Sequence, residues 1–282
     1  MTSKTTAPPQ TATVSDQAIA AFAQRVERRI GVQIGDKGYL IESRLQPLVN
    51  TFQLTSINDL LTQIERGRRD VEDAAVEAMT TNETSFFRDQ HPFHSLVEGV
   101  VPELIKTAAD RLTIWNGACS SGQESYTLAM VLSDHFPDLV SQRRVRIFST
   151  DFSQEMVDRT NAGTYSRFEI NRGLPTADAA RYFDSHGRKW VAKPHIKGMI
   201  EAKQHNLLDS FQGLPKSNIV LLRNVLIYFS KDVKLDILSR IRRDVLVPGG
   251  CLVLGASEMT HGIDQGYQAK RVGASTFFFS KG

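Results

Sequence analysis

The stretch IWNGACSSGQESYTLAM, residues 114–130, decides the fold. Its apolar start completes the run LTIW (112–115), the small residues Gly117, Ala118, Ser120, Ser121 and Gly122 follow, and a helical pattern runs from Gln123 to His135. A buried strand that turns through small residues into a helix opens a βαβ unit. In an open α/β sheet ligands sit at the carboxyl ends of the strands, where small residues let the backbone approach them closely. A nucleoside pocket is the natural reading, and a tight turn without a ligand is the plain alternative. The segment has neither GxGxxG nor a Gly-Lys-Ser/Thr, which disfavours pyrophosphate or triphosphate cradling and a nicotinamide oxidoreductase.

Working outward, VRIFST (145–150) ends at Asp151 and leads into a helix over Gln154–Ala162. Further runs follow at 200–203, IVLL (219–222), CLVLG (251–255) and FFFS (277–280), with a helix over Lys231–Val245. This alternation predicts a parallel sheet with crossover helices. Between Arg172 and Ile200 the rhythm breaks, and GRKWVAKPHIKGM (187–199) reads as a small antiparallel ribbon, giving an insert at about 173–202. Toward the N-terminus the pattern is helical only. Ser15 is a predicted N-cap, and Ile19, Phe22, Val26 and Ile30 recur at helical spacing. Helices are predicted over 37–52, with Leu40, Leu45, Leu48 and Val49 inward, then over 56–66 and 71–79. The expected organisation is a solvated tail (1–15), a helical domain (16–79) and an α/β domain (80–282) that begins with a linker motif.

Composition narrows the function. With 282 residues, 41% hydrophobic and 23% charged, the chain can build a sizeable core. A net charge of +3 is too weak to argue for nucleic acid. Cys119 and Cys251 have no CxxC and no companion histidine, so neither a metal site nor a disulfide framework is expected, and a reducing cytoplasm fits. No secretory h-region and no spanning apolar run occurs, so membrane insertion is not expected.

Particular side chains stand where chemistry would need them. Asp151, at a strand end, can accept hydrogen bonds from a ribose diol; helix N-capping, shared with Ser153, is its ordinary alternative. Glu124 lies at a helix start, where the dipole favours a carboxylate whether or not it meets a ligand. TTNETSFFR (80–88) sets polar groups and an arginine around paired phenylalanines. IVLLRNVLIYF (219–229) carries Arg223 and Asn224 at the end of an apolar run, with Tyr228 one turn on. An arginine there needs a partner, which a structural carboxylate would satisfy.

In order along the chain, TTNETSFFR, WNGACSSGQESYTLAM, STDFS, HNLL, LLRNVLIYF and GGCLVLGASE resemble the motif set of the CheR family of chemotaxis protein methyltransferases, from about residue 20 to the end. The resemblance implies a Rossmann-like methyltransferase sheet, an N-terminal all-helical domain and a small antiparallel β-subdomain. It implies transfer of a methyl group from S-adenosylmethionine to glutamate side chains on the cytoplasmic helical bundle of chemoreceptors, leaving S-adenosylhomocysteine. Carried over by position, it assigns Asn82, Thr84, Arg88, Glu124, Asp151, Asn206, Leu207, Arg223 and Asn224 to the cofactor, and places Arg88 and Tyr228 nearest the transferred methyl. Gln123 and Ser125 replace the more usual Glu and Pro, the loss of the Pro bearing only on local rigidity at the helix start, and Thr127 stands where Ser is common.

Because chemoreceptor methylation regions are acidic, Arg25, Arg28 and Arg29, at i, i+3 and i+4 on the first helix, form an expected docking face, extended by Arg44, Arg66, Arg68 and Arg69. A solvated helix face is the ordinary alternative. The stretch Tyr182–His205 is a few residues shorter than in members that tether to a receptor C-terminal peptide, which resembles the tether-independent type; a monomer is expected. The competing readings are a methyltransferase of another protein, of RNA or of a small molecule, and a non-catalytic cofactor-sensing module.

Overall fold

The computed structural model describes residues 15–35, 38–107, 111–258 and 265–281. The expected tail lies outside them apart from Ser15. The chain divides into two units, one ending at Thr80 and one starting at Thr81.

The first unit holds four helices: α1 (Asp16–Ile30), α2 (Gly38–Thr51), α3 (Ile57–Glu65) and α4 (Arg69–Ala78). Ser15 caps α1 by accepting the Ala18 N–H at 3.2 Å, and Gly31, in the left-handed region at φ 75°, ends it. Phe22, Val26 and Ile30 of α1 are buried with Leu60, Leu61 and Ile64 of α3 and Val71, Ala75 and Val76 of α4. On α2 the fully buried stripe is Ile41, Leu45 and Val49, while Leu40 and Leu48, expected inward, are half-buried at its margin. Removing each such aliphatic side chain from water is worth about 1.5–3 kcal/mol.

The second unit is built on strands β1 (Leu112–Gly117), β2 (Val145–Asp151), β3 (Thr164–Ser166), β4 (Phe183–His186), β5 (Lys189–Ala192), β6 (Ile200–Gln204), β7 (Ser217–Leu222), β8 (Leu246–Leu254), β9 (Tyr267–Val272) and β10 (Ser275–Ser280). Seven of them form one sheet in the order β6-β2-β1-β7-β8-β10-β9. The pairs from β6 to β8 are parallel, and β10 and β9 close the edge antiparallel. Parallel strands are covered on both faces, which is why IVLL reads as a continuous apolar run. The helices α5 (Gln123–His135) and α6 (Gln154–Ala162) follow β1 and β2, and α7 (Lys231–Arg240) precedes β8. Strand order reverses between β1 and β7, so their carboxyl ends bound the crevice where ligands enter such sheets. This is the expected α/β methyltransferase architecture.

The small antiparallel sheet has the order β3-β5-β4. It starts at Thr164, ahead of the expected insert, and 200–202 belong instead to β6, paired with β2. A three-residue strand is too short to leave a periodic signal. Its root is aromatic: the Phe86 ring meets Tyr165 and Phe183 edge-on at 5.0 and 5.6 Å, and Tyr126 meets Tyr165 at 5.7 Å. Gly173 (φ 98°) passes so close to the Phe86 carbonyl that a Cβ there would lie 2.1 Å from it, and Arg172 binds Glu83 at 2.5 Å. Helical segments at His91–Ser95 and Val101–Thr107, joined by a wide turn at Leu96–Val100, were not foreseen. Among the described residues no helix is long and apolar enough to cross a membrane.

Candidate functional site

The loop after β1 is held open by unusual backbone. Ala118 and Ser120 take φ 53° and 51°, and Gly122 takes φ 91° just ahead of α5. The Ser120 peptide N–H donates to Asp151 Oδ2 at 2.8 Å, its hydroxyl donates to the Asn82 carbonyl at 2.8 Å, and its carbonyl accepts the Thr160 hydroxyl at 3.0 Å. Asp151 Oδ1 accepts the Ser153 N–H at 3.0 Å. Ser153, not Asp151, caps α6, accepting from Met156 N. The Asp151 carboxylate is therefore aimed by two peptide groups at the end of β2 rather than committed to a helix start.

Arg223, one residue past β7, has 1% of its side chain exposed. Its Nη1 donates to Glu124 of α5, and its Nη2 donates to Asp89 Oδ2 at 2.8 Å and to the Arg88 carbonyl at 3.1 Å. Its guanidinium lies over the Phe93 ring at 5.2 Å. Glu124 supplies the partner that a buried arginine demands; Asp89 was not anticipated. Asn224 follows at φ 60°, its N–H bound to Glu258 Oε2 at 2.8 Å, and the same oxygen accepts the Gly255 N–H at 2.8 Å, joining the ends of β7 and β8. A single-turn helix over Leu226–Tyr228 then leaves Tyr228 half-buried, its hydroxyl without a hydrogen-bond partner among the described residues.

The linker lies across this edge. Beside the Asn82 bond, the Phe87 N–H donates to Thr127 Oγ1 at 3.1 Å, and Arg88 folds back so that Nη1 donates to the Glu83 carbonyl at 3.0 Å. Thr84 is half-buried in the same stretch. Phe87, Asp89 and Gln90 all have positive φ (50°, 65° and 40°). With Ala118, Ser120 and Asn224, six of the eight described non-glycine residues in the left-handed region gather at this one edge. Each such residue costs about 1–3 kcal/mol, which surrounding contacts must repay.

Asn206 and Leu207 follow β6, adjacent to Asp151: Gln204 is the register partner of Asp151, and the His205 N–H donates to the Asp151 carbonyl at 2.9 Å. Leu207 is buried, and Asn206 Oδ1 accepts the Leu208 N–H at 3.0 Å. Beneath the loop, Asn116 Nδ2 donates to Ser125 Oγ at 2.9 Å and Ser125 meets Ser149 at 2.8 Å. Ser125 is thus a working member of a buried polar chain, and the helix start is tied through it to β1 and β2. Gln123 Oε1 likewise accepts the Ser121 hydroxyl at 2.8 Å. Burial raises the Cys119 thiol well above its ordinary range, keeping it protonated and inert.

Residues 82–274 match the family described as CheR methyltransferase, SAM binding domain, and residues 17–80 match CheR methyltransferase, all-alpha domain. The chain belongs to the CheR methyltransferase family. Chemotaxis protein methyltransferase 1 of Pseudomonas aeruginosa is 42% identical over 252 residues, spanning 88% of this CheR-family chain and 92% of that one. Chemotaxis protein methyltransferase 1 of Vibrio cholerae is 40% identical over 270 residues, 92% of this chain and 95% of that one. Among solved structures, the plantazolicin methyltransferase BpumL in complex with SAH matches at a TM-score of 0.34 and 11% identity, covering 76% of this chain and 61% of that one.

The CheR-family chain is accordingly a methyltransferase that uses S-adenosylmethionine. The donor set suits that molecule. It offers a fixed carboxylate at the end of β2, an arginine–glutamate pair across the switch point, and a buried Arg223 Nε without a partner among the described residues.

The three arginines expected to dock a partner lie in the helical unit. Arg25 Nη1 binds Glu72 at 3.1 Å and Arg29 Nη2 binds Asp73 at 2.5 Å, both acids on α4, while Arg28 is exposed and has no ion-pair partner among the described residues. Arg44, expected to extend that face, instead directs Nη1 at the Met79 and Thr80 carbonyls at 2.6 and 3.0 Å, closing the C-terminal end of α4. Arg68 pairs with Asp70 at 3.1 Å.

Proposed function

We propose that this protein methylates glutamate side-chain carboxylates of chemoreceptors, forming γ-carboxyl methyl esters. The observation that carries the reading is the linker: TTNETSFFR is bonded onto the carboxyl edge at Asn82, Phe87 and Arg88, a segment that a generic methyltransferase of RNA or small molecules has no need of. The identity to named chemotaxis protein methyltransferases over most of the chain supports the same acceptor class.

When bound, S-adenosylmethionine supplies an electrophilic methyl group on a sulfonium. Asp151 would hold the ribose hydroxyls, Asn206 and Leu207 would flank the adenine, and Asn82, Thr84, Glu124, Arg223 and Asn224 would bind the remaining polar groups. An acceptor glutamate, with an ordinary pKa of about 4.3, is already ionised at neutral pH, so its oxygen can attack without a general base. Because the acceptor is already ionised, no side chain of this protein needs to take up a proton. The protein's task is to orient the acceptor carboxylate toward the methyl group and to replace water with fixed dipoles. Tyr228 aims the carboxylate through a single hydroxyl, which does not quench it as a tight ion pair would, and Arg88 orients acceptor and cofactor. Arg25, Arg28 and Arg29 contribute a docking face for an acidic helical bundle, with no requirement for a C-terminal receptor peptide.

Incubation with methyl-labelled cofactor and receptor cytoplasmic fragments tests the reading. Label should enter the fragments and leave as methanol on mild base treatment; base-stable label, or transfer to other acceptors but not to receptor fragments, would overturn it.

A further inference from the structure

Arg223 carries two carboxylates where one would neutralise it. Glu124, whose side chain is 13% exposed, balances the buried guanidinium, so the second acid is not required to bury the charge. Asp89 is 45% exposed, so its bond to the buried Arg223 is partly screened by solvent. Its position is what matters. It sits between Arg88 and Gln90 in the strained run where Phe87, Asp89 and Gln90 have positive φ. Such a backbone persists only where several contacts over-determine it. Three hydrogen bonds tie this run to the first crossover helix and to Arg223: Phe87 N–H to Thr127, Arg88 carbonyl to Arg223, and the Asp89 carboxylate to Arg223. Of these three, the last alone is made by a side chain of the run.

We propose that Asp89 is a positioning residue for methyl transfer: by clamping the linker onto Arg223 from the side opposite Glu124, it fixes the direction in which Arg88 meets the reacting atoms. This rests on the role proposed above for Arg88. Without the clamp the strained run relaxes while Asp151 and the Glu124–Arg223 pair stay in place. With the other cofactor-binding groups kept, kcat therefore falls far more than cofactor affinity.

The test uses the full chain with Asp89→Asn and Asp89→Glu. It measures kcat and KM on receptor fragments, the Kd for S-adenosylhomocysteine, the unfolding midpoint, and hydrogen exchange of the amides over 83–90. Since a misplacement of about 1 Å can cost about 100-fold, Asp89→Asn should lower kcat by about 10- to 100-fold with Kd and midpoint nearly unchanged and linker exchange faster, and Asp89→Glu should restore much of the rate. A kcat within about twofold of wild type, or a loss that follows cofactor affinity or the unfolding midpoint, overturns the proposal. If the unaltered chain fails to methylate receptor fragments, the acceptor reading falls and linker exchange decides for Asp89. Faster exchange in Asp89→Asn that Asp89→Glu reverses upholds the clamp, and unchanged exchange overturns it.

Discussion

The hydroxyl of Thr127 accepts the peptide N–H of Phe87 at 3.1 Å while donating to the Gln123 carbonyl at 2.8 Å. One side chain on the first crossover helix thereby sets the height of the linker above the sheet. Thr127→Val keeps the shape and orphans the Phe87 N–H, which should cost about 1–3 kcal/mol of unfolding free energy. Thr127→Ser should cost less than half of that. Denaturant unfolding of the full chain measures both, and equal stability of the Val and Ser variants would contradict the role of the bond.

In the proposed mechanism Tyr228 and Arg88 divide the work at the acceptor. Tyr228→Phe removes only a hydroxyl that binds nothing else among the described residues, so folding and cofactor affinity should hold while kcat falls by about 100-fold or more, the scale of one oriented polar contact in a transition state. Arg88→Ala should lower kcat and raise the acceptor KM together. Full turnover in both variants would remove the two residues from the mechanism.

On α1 the arginines are not equivalent. Arg25 and Arg29 are already matched by Glu72 and Asp73, whereas Arg28 presents its charge outward. Arg28→Glu should raise the acceptor KM several-fold and flatten its dependence on ionic strength; Arg25→Ala and Arg29→Ala should change it less. Steady-state kinetics across a salt series distinguishes this from a merely solvated face, for which all three would be silent.

His205, its ring tilted against Phe211 at 5.6 Å beside Asn206, is held by burial below its ordinary pKa of 6.5. A group that binds its proton less readily when folded gives full stability above its unfolded pKa and loses it as pH falls through the depressed native value. The unfolding midpoint should therefore drop as pH falls below about 6.5, and His205→Gln should reduce that drop. An identical pH dependence in the variant would show that other groups set it.

Much of the site was legible because a strand-to-helix pattern fixes which residues reach the carboxyl edge. Glu124, Asp151, Arg223 and Asn224 follow from it directly. The need of Arg223 for a partner was visible too, but not the partners: Glu124 and Asp89 are distant in sequence, and spacing along the chain does not encode proximity across a switch point. Left-handed φ at Phe87, Ala118 and Ser120 has no signature in residue type, since these are not glycines. β3 was missed for its brevity, and β9, YQAKRV, because its charged residues mask an edge strand. Arg44 was read as surface charge because a guanidinium directed at helix carbonyls looks, in sequence, like any other exposed arginine.

The small sheet has a fixed root and a free tip. At the root, Phe86 is gripped by Tyr165 and Phe183, two residues from Arg88 in sequence. At the tip, the turn between β4 and β5 passes through Gly187, around which there is open space. Lengthening or shortening the hairpin at 187–188 changes how far the small sheet projects while the rings that anchor the linker stay put. Reach and chemistry are thereby uncoupled within one short insertion, so the first can vary without retuning the second.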